Sequence, residues 1–286
     1  MSGQYLTGCA QRRVVVKIGG GAIGDDAVLA RICDAIAGAI DHTQVAAVHG
    51  GGATVDEHLA GLGIVSRRRD GIRITPPEHV EHVDHALSVR ANGRVVAALR
   101  AAGAPARGLR LGQAGVDAQK VEHAAIDLGR VGRVTGGRGE PLRRMLDDGL
   151  LPVVSSIGAD AGGDLLNVNA DEAAGGVAGA IGADAVVFLT GVAGVLDGLG
   201  RVVGRIDAES IERMIAEGTI CDGMIPKVRS AHLAAHQSGI PAVICPWDEP
   251  EAIVRAIRGA GVGTCVVPGH RRPARRGRHR PLRHIA

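Results

Sequence analysis

RVVVKIGGGA, residues 13–22, runs a β-branched apolar segment directly into three consecutive glycines. β-Branched residues favour the pleated strand, and an apolar run without polar alternation belongs to a strand buried on both faces. Glycine lets the chain turn sharply at the strand's carboxyl end. Asp25-Asp26 then opens a helix reaching about Ile40, its carboxylates placed at the positive end of the helix dipole. The same unit recurs. Val45 to His49 is stopped by Gly50-Gly51-Gly52 before a helix to about Leu62, and Ala185 to Leu189 precedes Gly191 and Gly194. Further strands are expected at Leu151–Ser155, Ala242–Cys245 and Thr264–Val267. Helices are expected at Glu78–Ala102, Pro141–Asp148, Ala170–Ile181, Glu209–Glu217, Met224–Ser238 and Glu249–Arg258. The polar stretch Val65–Pro77 reads as a loop, and Ala104–Val134 as short strands and turns covering a pocket. Strands alternating with helices predict an α/β fold with a mainly parallel central sheet and helices on both faces. Ligands of such a sheet gather at the carboxyl ends of its strands.

Composition agrees with this plan. Of 286 residues 45% are hydrophobic, yet Trp, Tyr and Phe occur once each, so the core consists of Val, Ile, Leu and Ala. So few aromatics supply no stacking platform for nucleic-acid bases. Net charge is only +3, and part of the excess lies in residues 269–286, which read as a basic, solvated, disordered tail. The five cysteines, Cys9, Cys33, Cys221, Cys245 and Cys265, form no CxxC pair, which points to reduced thiols in the cytosol. No apolar run approaches the roughly 18 residues of a membrane span, and the first residues lack a signal peptide's apolar stretch. A cytoplasmic protein with no membrane or nucleic-acid partner is expected.

Chemistry concentrates at the glycine turns. Backbone N–H groups there, with the positive end of the following helix, suit phosphate oxygens, although any α/β protein needs glycine at such places. The GxxxxGK[ST] pattern is absent from the sequence. Lys17 sits inside the apolar strand, where an ammonium needs an anion or an escape to solvent. Lys227 follows Pro226, a residue suited to a helix's first turn, and is either a second phosphate ligand or an ordinary surface lysine. In Asn167-Val168-Asn169-Ala170-Asp171 either asparagine could cap the next helix; alternatively one binds a polar substrate while Asp171 orients the two lysines. Arg73 could clamp a carboxylate bidentately, and Arg67-Arg68-Arg69 read as a solvated positive rim.

Seven segments together resemble the amino-acid kinase family: VVVKIGGG (14–21), VHGGGATVDEHL (48–59), DGIRITP (70–76), LPVVSSIGAD (151–160), LLNVNADEAA (165–174), LTGVAGVLDG (189–198) and ICDGMIPKV (220–228). Within the family they are most similar to the short, enterobacterial-type branch that phosphorylates N-acetyl-L-glutamate. The resemblance implies an open αβα sandwich, with a substrate lobe at 13–160 and a nucleotide lobe at 161–268, between an extension at 1–12 and the tail at 269–286. It implies that Lys17 and Lys227 neutralise the phosphoryl group in flight while Asp171 holds both. Gly19, Gly20, Gly50 and Gly51 would present N–H groups to phosphate and substrate, Arg73 would grip the α-carboxylate, and Asn167 the acetylated end. Gly191, Val192, Ala193, Gly194, Val195 and Leu196, with Thr219, Ile220 and Cys221, would line the adenosine site. ATP would be the co-substrate with Mg2+ on its phosphates and no metal site built from protein side chains.

The chain departs from the family pattern at three places. Gly191 replaces an aspartate, Gly93 replaces a lysine, and residues 108–117 are longer than the usual turn and lack its Asp-Gly pair. Those differences leave carrier-bound aminoadipate or aspartate as rival substrates, and a non-catalytic ligand sensor as a rival class. A first strand beginning near Arg13 leaves no room for the extra N-terminal helix of arginine-inhibited hexameric relatives, so a homodimer insensitive to arginine is expected.

Overall fold

The apolar run at residues 14–18, interrupted only by Lys17, is buried as a central strand demands. Val14, Val15, Val16 and Ile18 are fully buried, and Lys17 is the one residue of the run that reaches solvent. The computed structural model describes residues 11–69, 71–124 and 126–268, so the segment before residue 11 and the basic tail at 269–286 lie outside it. Strand β1 (Arg12–Ile18) leads into a single helical turn, α1 (Gly20–Gly24), where an open glycine turn was expected. Helix α2 (Asp26–Ala37) is capped by the Asp25 carboxylate, which accepts from the N–H groups of Ala27 and Val28 at 2.9 and 3.1 Å. Strand β2 (Thr43–His49) and helix α3 (Gly52–Gly61) repeat the unit.

The expected loop at 65–77 instead contains a two-stranded antiparallel ribbon, β3 (Arg68–Arg69) and β4 (Ile72–Arg73). Strands of two residues carry no periodicity that a sequence pattern could reveal. The long helical segment follows as α4 (Val80–Asp84), a π-helical stretch at His85–Ala91, and α5 (Asn92–Ala101). Next come β5 (Ala106–Arg110), β6 (Val116–Lys120), β7 (Val131–Gly137), α6 (Glu140–Asp147), β8 (Leu151–Ser155), β9 (Ile157–Ala159) and β10 (Leu165–Val168). The remainder is α7 (Ala170–Ile181), β11 (Ala185–Thr190), β12 (Arg205–Ile206), α8 (Ala208–Ala216), α9 (Met224–Ser238), β13 (Ala242–Pro246), α10 (Pro250–Arg258) and β14 (Thr264–Val266). Strands β9, β10 and β12 escaped the sequence reading because each is short and interrupted by polar residues or glycine.

One eight-stranded sheet, ordered β12-β14-β13-β11-β1-β2-β8-β5, draws strands from both halves of the chain. Its pairings are parallel except β13 with β14. Successive residues of β1 point to opposite faces. Val14, Val16 and Ile18 join an apolar cluster with residues of α2, α5 and α10, whereas Val15 joins one with residues of α6, α7 and α9. A second, four-stranded sheet, β6-β7-β10-β9, is also built into the α7 side. The boundary expected at 160/161 falls in the turn between β9 and β10. None of the described helices is long and apolar enough to cross a membrane.

Candidate active site

The carboxyl end of β1 delivers Lys17 and, after Ile18, the Gly19–Gly21 turn. Lys17 Nζ lies 2.8 Å from Asp171 Oδ1, with both side chains mostly buried. The contact is an ion pair within the distance of a charge-assisted hydrogen bond. Asp171 stands in the first turn of α7, whose cap is Asn169: its side-chain oxygen accepts from Asp171 N at 2.8 Å and Glu172 N at 3.4 Å. Asn169 therefore does the capping and Asn167 is left for another role. Glu172, missed from sequence, accepts from Val134 N at 2.8 Å and ties α7 to β7; burial pushes its carboxyl pKa up.

The glycine turns meet at this point. A methyl group on Gly20 would sit 3.3 Å from Gly52 N and 3.7 Å from Gly51 N, so glycine keeps that row of N–H groups approachable. A methyl group on Gly50 would press on Ala170 Cβ at 3.1 Å, which places the start of α7 against the second turn. Lys17, Asp171, Gly19, Gly20, Gly50 and Gly51 thus share one junction at the strand ends.

Lys227 lies in the first turn of α9 and makes no ion pair with a described residue. Helices α7 and α9 pack side by side and run the same way: Gly175 faces Ala234, and four residues on Gly179 faces Ser238. Both helices lead into parallel strands, β11 and β13, so both begin at the end of the sheet where β1 finishes. Lys227 is brought to the correct end of the molecule without touching Asp171.

Arg73, expected on a loop, lies in the short strand β4 and is buried. Its Nη1 donates to Asp56 Oδ1 and Ser66 Oγ, and its Nη2 to the Gly52 carbonyl at 3.0 Å. Hydrogen bonding to the Arg73 guanidinium holds the Asp56 carboxyl below the usual carboxylate range. Arg68, read as part of a solvated rim, shares the same carboxylate at 2.7 Å and lies over Gly52, near 3.4 Å from where a Cβ would be. Asn167 reaches the same region: its Nδ2 donates to Thr75 Oγ1 at 3.0 Å, and Thr75 Oγ1 donates to the Arg73 carbonyl at 3.0 Å. Asp56 and Thr75 were passed over, and Arg68 was placed in the rim, because contacts across a turn leave no mark in one-dimensional spacing.

On the other side of the sheet end, the indole of Trp247 spans two turns. Methyl groups on Gly19, Gly21 and Gly191 would lie 3.4, 3.6 and 3.1 Å from its ring carbons. Gly191, and with it the Gly191–Leu196 segment, therefore adjoins the Gly19–Gly21 turn. Thr264 pins that segment, its hydroxyl accepting from Val195 N at 2.8 Å. Val192 packs partly buried on the main apolar cluster, while Ala193 and Leu196 face solvent and Gly194 is buried. The side chains of Val195 and Ile220 are buried in that cluster, so only their backbones can line a site; Thr219 and Cys221 stay accessible.

A lysine–carboxylate pair set among convergent glycine turns, at the carboxyl ends of a parallel sheet and without a P-loop, defines a phosphate-binding α/β protein. A model of the amino acid kinase family matches residues 12–246, and the chain belongs to that family. It is 38% identical over 258 residues to a protein of Aeromonas salmonicida named acetylglutamate kinase, covering 90% of this chain and 98% of that one. It is 38% identical over 257 residues to the acetylglutamate kinase of a Vibrio cholerae O395 strain, covering 89% and 97%. Among solved structures, smu.665 of Streptococcus mutans UA159 superposes with a TM-score of 0.70 at 28% identity, over 90% of this chain and 99% of that one.

Proposed function

We propose that this chain uses ATP to phosphorylate the side-chain carboxylate of N-acetyl-L-glutamate, yielding N-acetyl-γ-glutamyl phosphate and ADP for arginine biosynthesis. The Lys17–Asp171 pair at the junction of the Gly20 and Gly51 turns carries the reading. A carboxylate ionised at neutral pH needs no general base, so the protein must align it with the γ-phosphorus and offset negative charge. One carboxylate oxygen forms the new P–O bond as the bond to the ADP oxygen breaks.

Lys17 and Lys227 neutralise the transferring group, with Asp171 paired to Lys17. N–H groups at Gly19, Gly20, Gly50 and Gly51 face phosphate and substrate, while Arg73 and Asn167, linked through Thr75, take the α-carboxylate and the acetyl end. The 161–268 half holds ATP along Gly191–Leu196 and Thr219–Cys221, and the 13–160 half holds the acceptor. No three His, Cys, Asp or Glu among the described residues are grouped to hold a metal ion. Mg2+ enters on the ATP phosphates, as phosphoryl transfer from ATP requires. The reading extends to a cytoplasmic homodimer, supported by the family resemblance and, for the compartment, by the unpaired state of the four described cysteines.

A coupled ADP-release assay with N-acetylglutamate, aspartate and carrier-bound aminoadipate tests the proposal. Turnover with N-acetylglutamate alone supports it; preference for another acceptor reassigns the substrate, and nucleotide binding without ADP release would make the chain a sensor. Light scattering at the mass of two chains supports the dimer, and a ring-sized species overturns it.

A further inference from the structure

His49 is fully buried immediately before the Gly50–Gly52 turn, a place where packing alone would favour an apolar side chain. Both its ring nitrogens are engaged. Nδ1 lies 2.7 Å from the Gly50 carbonyl oxygen, and Nε2 lies 2.9 Å from Asn92 Nδ2. A carbonyl can only accept, so Nδ1 carries the proton and Nε2 of the neutral ring accepts from the Asn92 amide. The second amide hydrogen of Asn92 goes to the Val153 carbonyl at 2.9 Å. Burial suppresses protonation of the ring, lowering its pKa to about 4, so this single tautomer persists at neutral pH. Asn92 has its own constraint: a methyl group on Gly108 would fall 2.0 Å from Asn92 Oδ1, so that glycine vacates the space the amide occupies.

The consequence falls on one peptide plane. The Gly50 C=O and the Gly51 N–H belong to the same planar trans unit and point in opposite directions. Holding the carbonyl towards the imidazole therefore turns the Gly51 N–H away from it, and Gly51 N itself lies 3.7 Å from where a methyl group on Gly20 would be. We propose that His49 is a positioning residue, fixed by Asn92, that aims the Gly51 N–H at the transferring phosphoryl group. The inference rests on the phosphoryl-transfer reading above, which gives that N–H its target.

Two substitutions of similar polarity separate positioning from packing. His49→Asn places an amide N–H close to the position of Nδ1 and can still donate to the Gly50 carbonyl; His49→Gln places its N–H near Nε2 and cannot. Measured below their melting temperatures on folded protein, His49→Gln should lose on the order of tenfold or more in kcat, because a donor is misaimed and not removed. KM for both substrates should change little, and His49→Asn should recover most of the loss. Equal losses in the two variants, or a change confined to KM, overturn the proposal. If neither His49 variant folds, Asn92→Ser is read instead: it should lower kcat with KM nearly unchanged, and a normal kcat refutes the inference. A wild-type protein that releases no ADP with any acceptor sinks the functional reading and this inference with it; an active wild type with equal variants sinks the inference alone.

Discussion

Lys17 Nζ, near the end of β1, and Asp171 Oδ1, in the first turn of α7, stand 2.8 Å apart. An ion pair of this kind keeps an ammonium charged inside an apolar strand. Lys17→Ala and Lys227→Ala should each lower turnover on the order of 100-fold or more while the circular dichroism spectrum stays native. A near-normal rate in either variant removes that lysine from the mechanism.

Arg73 is held by Asp56, Ser66 and the Gly52 carbonyl, so its substitution reaches both binding and stability. Arg73→Ala should raise the apparent KM for N-acetylglutamate more than it lowers kcat, and cost about 1–3 kcal/mol of stability by removing the hydrogen bonds that the buried guanidinium makes to its half-buried partners. Arg73→Lys should not restore binding, because an ammonium cannot reproduce the fork. Titration of initial rates and a urea unfolding curve measure the two effects; an unchanged KM refutes the clamp.

Protonation of His49 links stability to pH. The folded-state pKa, near 4, lies below the ordinary 6.5, so the unfolded chain binds the proton first. The stabilisation is fully present above pH 6.5 and is lost as pH falls towards 4, by about 3 kcal/mol in total. His49→Asn should flatten that part of the stability profile relative to wild type. Parallel slopes for the two proteins between pH 6.5 and 4 would contradict the assignment.

Trp247, the single tryptophan, reports on the nucleotide side because its ring lies against Gly19, Gly21 and Gly191. Saturating ATP should change its emission intensity or wavelength, with a midpoint matching the ATP constant from kinetics. Unaltered emission in an enzyme that is turning over would place the nucleotide elsewhere.

Much of this was legible in one dimension. The VVVKIGG run predicted a central buried strand with a lysine near its end, and Asp25 and the Met224–Ser238 helix fell where capping and periodicity put them. The glycine turns were legible as turns but not as neighbours, since nothing in spacing says that Gly20 faces Gly52. Arg73 was legible as a cation on a loop but its burial was not, because its partners come from α3 and Ser66 and not from its own strand. His49 carried no visible signal beyond its place before the glycines; its meaning depends on Asn92 and Gly108, which approach from α5 and β5.

By itself the sequence determined the alternation of strands and helices, the apolar faces and the inventory of charged groups, because hydrophobic period, glycine and helix caps act over a few residues. Tertiary structure alone decided which charges pair, that Lys17 meets Asp171, that Arg73 is buried on Asp56, and that Lys227 stands apart. Those outcomes depend on sheet order and helix packing, which bring together residues from distant parts of the chain at distances that only a folded interior sets.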